Sequence, residues 1–590
     1  MKRINSLVLF LLAMVVMTTS CSDDKESSAG ITNQSWTEGE VLDISTEKSV
    51  TVRFTTYGKW VASITNGATW CKLSQNSGDK GSHSFIISVN GKTTAERTAT
   101  ITVNADGRSS SFQVRQKPSG AAEDPTINQE VDEYLSEMYL WNDEYKTLKR
   151  NLNQGYEDFF YGNLLSMTTN TLDKKPYTGN DGKTYYNLFS YIQKLPDISQ
   201  TRTIEKELEY SFGITGITPV YISSSMQDYT IYFCIQGVYP DSPASEAGLK
   251  RGAMIRLING NKITENSINE YYYNMLLPDA AISYTLTEDV IEDGVITGQK
   301  SYPLTAKAMS VNPVIFSKVN EEYAGHRIGY LVYSGFEASF DEELFNVFKE
   351  FKAKNVTDLI LDLRYNGGGH VISANLIASC VAGSSCSDKV FAQYRYNDER
   401  MKKLGNSRPK EMFLYDKYAN LGTSLAAGGL GLKRLYCLVG NGTASSSELV
   451  INSLRGIDIK VTLIGETTTG KNVGMEVADM KINDDTYRVA PITFQSYNAI
   501  GFGEYEKGFT PDVQMDETNP DNEQGVFYIP KEYGTNKEPL YAKAIELITG
   551  TNPMPKTRSV TNTLSGSTRK LPALLRPGHY GMLKPAQTAE

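Results

Sequence analysis

Two hydrophobic rhythms divide the chain. Over residues 35–117 apolar and polar positions alternate, as in "KSVTVRFTT", "SHSFIISVN", "TATITVNA" and "SSFQVRQ", with Gly and Asn between the runs. Period two broken by turn residues predicts short strands in an all-β sandwich. From Ile127 the spacing becomes helical. "INQEVDEYLSEMYLWNDEYKTL" places Val131, Leu135, Met138 and Leu140 on one side, and one apolar side at that spacing predicts an amphipathic helix. "YEDFFYGNLLSM" and "NLFSYIQKL" continue in that style, so residues 127–204 are expected to form a small helical segment. Strands return over 205–308. From 309 to 550 the pattern alternates β and α: strand "RIGYLVYS", helix "FDEELFNVFKEFKAK", strand "VTDLILDLR", and later strand "RLYCLVG", helix "SSSELVINSLRG" and strand "KVTLIGE". Continuous apolar strands joined by helices predict a buried, partly parallel sheet.

The remaining segments are polar. Residues 22–34 read as a tether and "PSGAAEDP", within 118–126, as a linker. The tail 551–590 has Pro, Thr, Ser and Lys without periodicity and is expected to be disordered. At 590 residues the chain is too long for one core. Its net charge of −9 argues against a nucleic-acid binder, which needs a basic face.

The N-terminus, "MKRINSLVLFLLAMVVMTTSC", has a basic start and an apolar run of signal length. It resembles a bacterial lipoprotein signal of the Bacteroidota type, residues 1–21. That resemblance implies lipidation of Cys21. The acidic "SDDKE" that follows resembles an export tag to the outer cell surface. The implied location is an outer-membrane lipoprotein, cell-surface exposed or facing the periplasm, held by its lipid alone. Five cysteines remain besides Cys21, an odd count that argues against a disulfide scaffold. Cys380 and Cys386 could pair in an oxidising compartment. No Cys/His cluster has metal-ligand spacing, so no metal and no cofactor are expected.

The stretch with most chemical content is "NGTASSSELVINSLRGI", residues 441–457. Ser445, Ser446 and Ser447 stand at a strand-to-helix junction. Ser445 with Glu448 has capping-box spacing, so plain helix capping is one reading. Two other segments favour catalysis. "LDLRYNGGGHV", residues 361–371, ends a strand in three glycines, whose backbone N–H groups can converge on an anion. It lacks the spacing of a nucleotide-phosphate loop. "GETTTGKNVGMEV", residues 465–477, is a loop carrying Lys471, 26 positions after Ser445. A serine hydroxyl needs a base within hydrogen-bond reach. A lysine can be that base only when neutral, so its pKa must fall from about 10.4 by about 3 pH units, a cost of about 4 kcal/mol. Burial in a closed cleft supplies such a change. The core holds two histidines, His326 and His370, and a Ser–His–Asp triad fits them badly.

Together DLRYNGGG, TASSSE and GETTTGK, with "GFTPDV" at 508–513, resemble the C-terminal processing peptidases, or tail-specific proteases, over residues 127 to about 548. The resemblance implies a serine endopeptidase working through an acyl-enzyme, on an α/β core of the ββα-repeat, crotonase/ClpP-like kind. Ser445 would be the nucleophile and Lys471 the general base. Ser446 and either Gly367 or Gly368 would supply oxyanion N–H groups. The third member is Glu448 or Glu476, the nearest polar residue after the lysine. Glu448, if ionised, would raise the lysine pKa, so it is expected to bond the serine region or the backbone, or to be partly protonated. "VYPDSPASEAGLKRGAMIRLINGNKIT", residues 238–264, resembles a PDZ domain. Phe212, Gly213, Ile214 and Gly216 would then grip the carboxylate of a protein or peptide substrate, which adds as a strand. "GATWCKLSQNSGDKG" and "FQVRQKP" resemble the BACON domain, an immunoglobulin-like module. For it a stalk and a glycan- or mucin-binding role both stand open. The rivals to a peptidase are a catalytically silent surface binding protein for peptide or glycan, and a glycan-handling enzyme. The latter would need two opposed carboxylates.

Overall fold

The computed structural model describes residues 30–44, 50–89, 96–116, 125–178, 183–195, 209–225, 228–265, 267–278, 280–292, 294–482, 485–522, 526–554, 563–568 and 581–585. Cys21, the signal and most of the tether lie outside the described residues. The chain divides into two compact units, one formed by the N-terminal residues through Glu123 and one by nearly all of the chain from Asp124 on.

In the first unit two sheets share one core. One has the order Ile31–Thr32, Val50–Thr56, Gly81–Val89, Cys71–Leu73. The other runs Val41–Asp43, Arg108–Gln116, Arg97–Ala105, Trp60–Thr65, Ser77–Gly78. Alternate residues of Val50–Thr56 and Arg97–Ala105 point inward. Trp36, Phe54, Trp60, Phe85 and Phe112 fill the interior.

The second unit is centred on a six-stranded sheet in the order Val314–Asn320, Ile328–Tyr333, Asp358–Asp362, Arg434–Val439, Lys460–Gly465, Val513–Gln514. Its first pairing is antiparallel and the rest are parallel. Both faces are covered, which is why the central strands Ile328–Tyr333, Asp358–Asp362 and Arg434–Val439 are apolar through their middles. Helices Asp341–Ala353, Val371–Ala382 and Ser446–Arg455 bury one face, and helix Pro539–Thr549 the other.

A second sheet in this unit runs Tyr191–Lys194, Asp485–Ala490, Val473–Ile482, Ile492–Tyr497, Val390–Arg395, Lys410–Met412. Helices Pro125–Met138, Asn142–Thr147 and Tyr156–Ser166 pack on it, with Val131, Leu135 and Phe160 against Val473, Met475 and Ile492. The segment 127–204 is not helical throughout. "NLFSYIQKL" lies in strands Thr184–Leu188 and Tyr191–Lys194. Its short aromatic run has no decisive period, and pairing of Tyr191–Lys194 with Asp485–Ala490 makes it a strand. Residues 209–309 form a module of eight strands, five of them consecutive in a sheet that continues into Thr563–Thr568 and Val526–Tyr528, with helices Pro243–Glu246 and Ile268–Leu276 and a core of their own. Asn259 and Gly260 both take positive φ, which a hairpin turn of this kind requires.

The tail departs from its expected disorder. Thr563–Thr568 and Gly581–Pro585 are strands. Polar composition gives no core signal, but an open sheet edge recruits a strand through main-chain bonds alone. Cys380 and Cys386 do not pair; every described cysteine is free and buried. Among the described residues no helix is long and apolar enough to cross a membrane, and no group of His, Cys, Asp or Glu could hold a metal ion.

Buried ion pairs fasten the 209–309 module to the core sheet. Arg364, just past strand Asp358–Asp362, bonds Asp362 at 2.6 Å and Glu538 at 2.8 Å and also reaches Glu517. Arg251 of the module meets the same Glu517 at 2.7 Å. Tyr365 donates to Glu517 as well. Substituting Arg364→Ala would leave two buried carboxylates, Asp362 and Glu538, without their counter-charge, while Glu517 keeps Arg251. The expected loss is about 3–5 kcal/mol. It would be read as a lower urea midpoint at unchanged slope; an unchanged midpoint would show that the pairs do not carry the fold.

Candidate active site

Strand Arg434–Val439 delivers the chain to a turn that opens helix Ser446–Arg455, and Ser445 stands at the junction. Ser445 has φ +60° and ψ −111°. A non-glycine residue held there costs on the order of 1–3 kcal/mol and persists only when its surroundings over-determine it. They do. The Ala444 N–H donates to the Asn366 carbonyl at 3.1 Å. Ser446 Oγ donates to the Gly369 carbonyl at 2.7 Å, and Ser447 Oγ to that of Asn366 at 2.9 Å. The triple serine is thus divided in labour. Two hydroxyls stitch the helix start to the glycine run, while Ser445 Oγ is buried, stands in a capping box with Glu448 and makes no hydrogen bond of ordinary geometry. A buried, unpartnered hydroxyl at a strained turn has an unmet polar cost.

The glycine run lies beside this turn because only glycine fits there. Gly369 has φ +133°, and a Cβ on it would fall 2.3 Å from the Phe336 carbonyl oxygen. The Gly368 N–H is already committed to Asn366 Oδ1 at 2.9 Å. This corrects the expectation that Gly368 offers a free donor.

Glu448 sits one helical turn beyond Ser445 and is fully buried. Its Oε2 accepts the N–H of Ser445 at 2.9 Å and that of Lys471 at 2.8 Å; its Oε1 accepts the Gly470 N–H at 2.7 Å and Thr468 Oγ1 at 2.5 Å. One carboxylate therefore pins the turn and the lysine loop together. Gly470 makes that approach possible: it has φ +87°, and a Cβ there would lie 2.4 Å from the Glu506 carbonyl oxygen. Burial pushes the Glu448 carboxyl above its usual range, and the four bonds oppose this. Glu476, the other candidate for the third position, is bound elsewhere, to Arg400 at 2.6 Å. It lies in a strand, and Arg400 covers it, so Glu448 is the carboxylate joined to this loop.

Lys471 is buried, and burial lowers its amine to about 7. The negative charges of Asp173 and Glu448 work against that fall, and Lys175 reinforces it. The amine lies 4.6 Å from the centre of the Phe189 ring. Asp173 is raised by burial, against bonds from Ser190 N–H at 2.7 Å, Ser190 Oγ at 2.6 Å and Tyr139 OH at 2.7 Å. Asp173, Lys175, Phe189 and Ser190 were not legible as site residues. They stand some three hundred positions before the lysine in a segment read only as helical, and the second sheet alone brings them close. The histidines are engaged elsewhere. His326 Nδ1 is 2.8 Å from Asp358, and His370 Nδ1 is 3.0 Å from the Phe336 carbonyl.

In the 209–309 module the loop at 212–216 is closed on itself. The Gly213 N–H donates to Ser211 Oγ at 3.0 Å, and the Phe212 and Gly213 carbonyls accept from Ala244 and Tyr239. Phe212 and Ile214 are buried, Phe212 stacking on Tyr284 at 5.7 Å. Gly216 pairs with Gly237 across the hairpin. Gly213 is therefore not the free donor that carboxylate capture requires. The open edge of strand Ile214–Ser225 takes residues 566–568 opposite Val220–Ile222.

Residues 327–515 match the model of peptidase family S41, and residues 60–117 match BACON, an N-terminal domain to which binding is ascribed. A chloroplastic C-terminal processing peptidase of Tetradesmus obliquus is 27% identical over 298 residues, 49% of this chain and 58% of that protein. The carboxy-terminal processing protease CtpA of Bacillus subtilis is 25% identical over 320 residues, 54% of this chain and 59% of its own length. The chain thus spans under two thirds of the length of these relatives. A crystal structure from Bacteroides fragilis, of a protein assigned to the S41 proteases, shares the fold. Its TM-score is 0.54 at 24% identity, over 71% of this chain and 97% of that one.

Substituting Glu448→Ala would leave four donors without their acceptor in a closed interior. At about 1–3 kcal/mol for each buried group left unsatisfied, the expected outcome is a loss of at least about 3 kcal/mol in urea unfolding. A loss below about 1 kcal/mol would show that water replaces the carboxylate freely.

Proposed function

We propose that this chain, whose residues 327–515 belong to peptidase family S41, is a serine endopeptidase that cuts protein or peptide substrates with Ser445 as nucleophile and Lys471 as general base. The observation that carries this is the pairing of two anomalies on one carboxylate. A buried hydroxyl without a partner and a buried amine lowered to about 7 belong to backbones that share Glu448 Oε2.

In the proposed reaction neutral Lys471 takes the Ser445 proton as Oγ attacks the scissile carbonyl. The oxyanion forms beside the start of helix Ser446–Arg455, whose dipole favours negative charge, with Ser446 and Gly367 donating. The resulting ammonium then protonates the leaving amine. Water completes the second half through the same base, releasing the acid and restoring the serine. Glu448 is a positioning residue, since its oxygens are spent on N–H and O–H donors. Asp173 stabilises the transient ammonium.

The 209–309 module is the proposed site of substrate recruitment, by strand addition along residues 214–219, beside the stretch paired with residues 566–568, rather than by Gly213 gripping a carboxylate. Lipidation of Cys21 would place the enzyme on the outer membrane. A silent binding protein is the weaker reading, because a scaffold gains nothing from a buried hydroxyl and a buried amine on backbones joined by one carboxylate, and both carry a folding cost.

Ser445→Ala and Lys471→Met should each abolish peptide hydrolysis, and Ser445→Ala should abolish labelling by a fluorophosphonate. Retention of more than about a tenth of activity in Lys471→Met would remove the lysine from the mechanism. The pH dependence has a definite sign. A lysine lowered in the fold is the active base only when deprotonated, so kcat/KM should rise tenfold per pH unit below about 7 and level off above it. The folded state binds fewer protons here than the unfolded chain, so this burial cost is fully present below about 7 and fades as pH rises toward the unfolded value near 10.4. Lys471→Met should accordingly match or exceed wild-type stability at pH 7, measured by thermal unfolding; a marked loss would contradict a neutral, desolvated amine.

A further inference from the structure

The strand Gly581–Pro585 does not lie on an arbitrary edge. It pairs in parallel with the glycine run, Gly368 with Gly581, Gly369 with Met582 and His370 with Leu583. On its other side it pairs with the strand that follows the lysine loop, Met475 with Leu583, Glu476 with Lys584 and Val477 with Pro585. It therefore runs between the two segments that carry the proposed oxyanion donor and the proposed base. The carbonyl of Gly369, a partner of this strand, is also the acceptor for Ser446 Oγ, one residue from the nucleophile. A lane bounded on both sides by sheet edges next to the proposed nucleophile is one that an extended peptide can enter by strand addition.

One side chain of this strand enters a built pocket. Lys584 Nζ is 3.0 Å from Glu411 Oε2 and lies 3.8 Å from the centre of the Tyr394 ring and 5.8 Å from that of Phe494. Tyr394 OH donates to the same Glu411 oxygen at 2.7 Å and aims it. Asn375 Nδ2 bonds the Met412 carbonyl at 2.9 Å, beside Glu411. A carboxylate over aromatic faces is selective for a cation, because ring quadrupole and charge act together. The pocket sits on strands Val390–Arg395, Lys410–Met412 and Ile492–Tyr497, elements of the second sheet rather than loops.

We propose that the lane between Gly368–His370 and Met475–Val477 is the substrate strand, that residues 581–585 fill it as an intramolecular competitor, and that Glu411, Tyr394 and Phe494 form a subsite for a basic substrate side chain. This rests on the peptidase reading and names the substrate class: extended peptides with lysine or arginine at the position of Lys584. The tail binds without covalent change, so substrate must displace it.

The test uses the full chain. In a Ser445→Ala background, Lys584→Glu should speed hydrogen exchange of the amides at 368–370 and 475–477 at least tenfold, and the swap Lys584→Glu with Glu411→Lys should restore protection. In the Ser445 enzyme, Lys584→Glu should raise the fluorophosphonate labelling rate at least fivefold, and the swap should reverse it. A synthetic peptide of residues 579–588 should restore protection to the Lys584→Glu protein, and the same peptide with glutamate for the lysine should not. Restoration by the swap also excludes simple misfolding of the single variant. Exchange and labelling unchanged by Lys584→Glu, or a peptide effect indifferent to its lysine, would overturn the proposal even with catalysis intact. Charge-dependent exchange in a protein that neither labels nor cleaves would uphold the subsite and remove the peptidase reading instead.

Discussion

The structure turns on keeping one amine dry. Lys471 is a residue that water would hold protonated, and everything near it either withholds water or is prevented from acting as a full counter-ion. Burial is the largest influence on its acidity and outweighs Asp173 and Glu448. Two carboxylates this close would defeat a neutral lysine if both were free to solvate it. They are not free. Glu448 spends its oxygens on three N–H groups and Thr468, and Asp173 spends its own on Ser190 and Tyr139. Burial also raises both carboxyls, which favours their neutral forms and so weakens their attraction for a lysine ammonium. The balance is a shared one among coupled groups, and it leaves a residual attraction that becomes useful when the lysine takes up a proton.

That arrangement explains why the catalytic core carries a helical segment and a second sheet. The six-stranded sheet alone could place Ser445, Glu448 and the glycine run, because all three lie on the segments that leave the ends of its strands. It cannot enclose the lysine. Phe189, Ser190 and Asp173 come from the segment before the 209–309 module, and that segment is held by packing of Val131, Leu135 and Phe160 on Val473, Met475 and Ile492. The strand Val473–Ile482 begins two residues past the lysine, so the surface that the helices bury is continuous with the loop they desolvate. The fold and the acidity of Lys471 are therefore coupled: loosening the helices would admit water to the amine.

Much of this was legible because it is local. Apolar strands, the glycine run, the serine turn and the lysine loop each write their chemistry within a dozen residues, and the order of the motifs joins them. Ser446 and Ser447 could be seen as serines but not as stitches, since their acceptors are carbonyls eighty positions away. Gly368 and Gly213 could be seen as flexible donors. Their N–H groups turn out to be satisfied by neighbours two residues back, a choice that side-chain geometry makes and composition does not. Asp173 gave no signal: a lone aspartate after a helix is ordinary. "NLFSYIQKL" was ambiguous because a short apolar run takes its period from whatever strand or helix it meets.

The tail shows the same limit from the other side. A segment poor in apolar residues cannot fold by burying surface, and that inference about an isolated chain is sound. It does not cover a segment delivered to a sheet edge whose N–H and C=O groups already point outward. There the main chain supplies the affinity, and a single long side chain, Lys584 on Glu411 and Tyr394, supplies the register. An open sheet edge is thus what gives the polar tail its strand, and a one-residue slip would turn the lysine away from Glu411. Open edge and tethered tail form a single equilibrium, whose position is set by how well an incoming strand matches that one cationic contact.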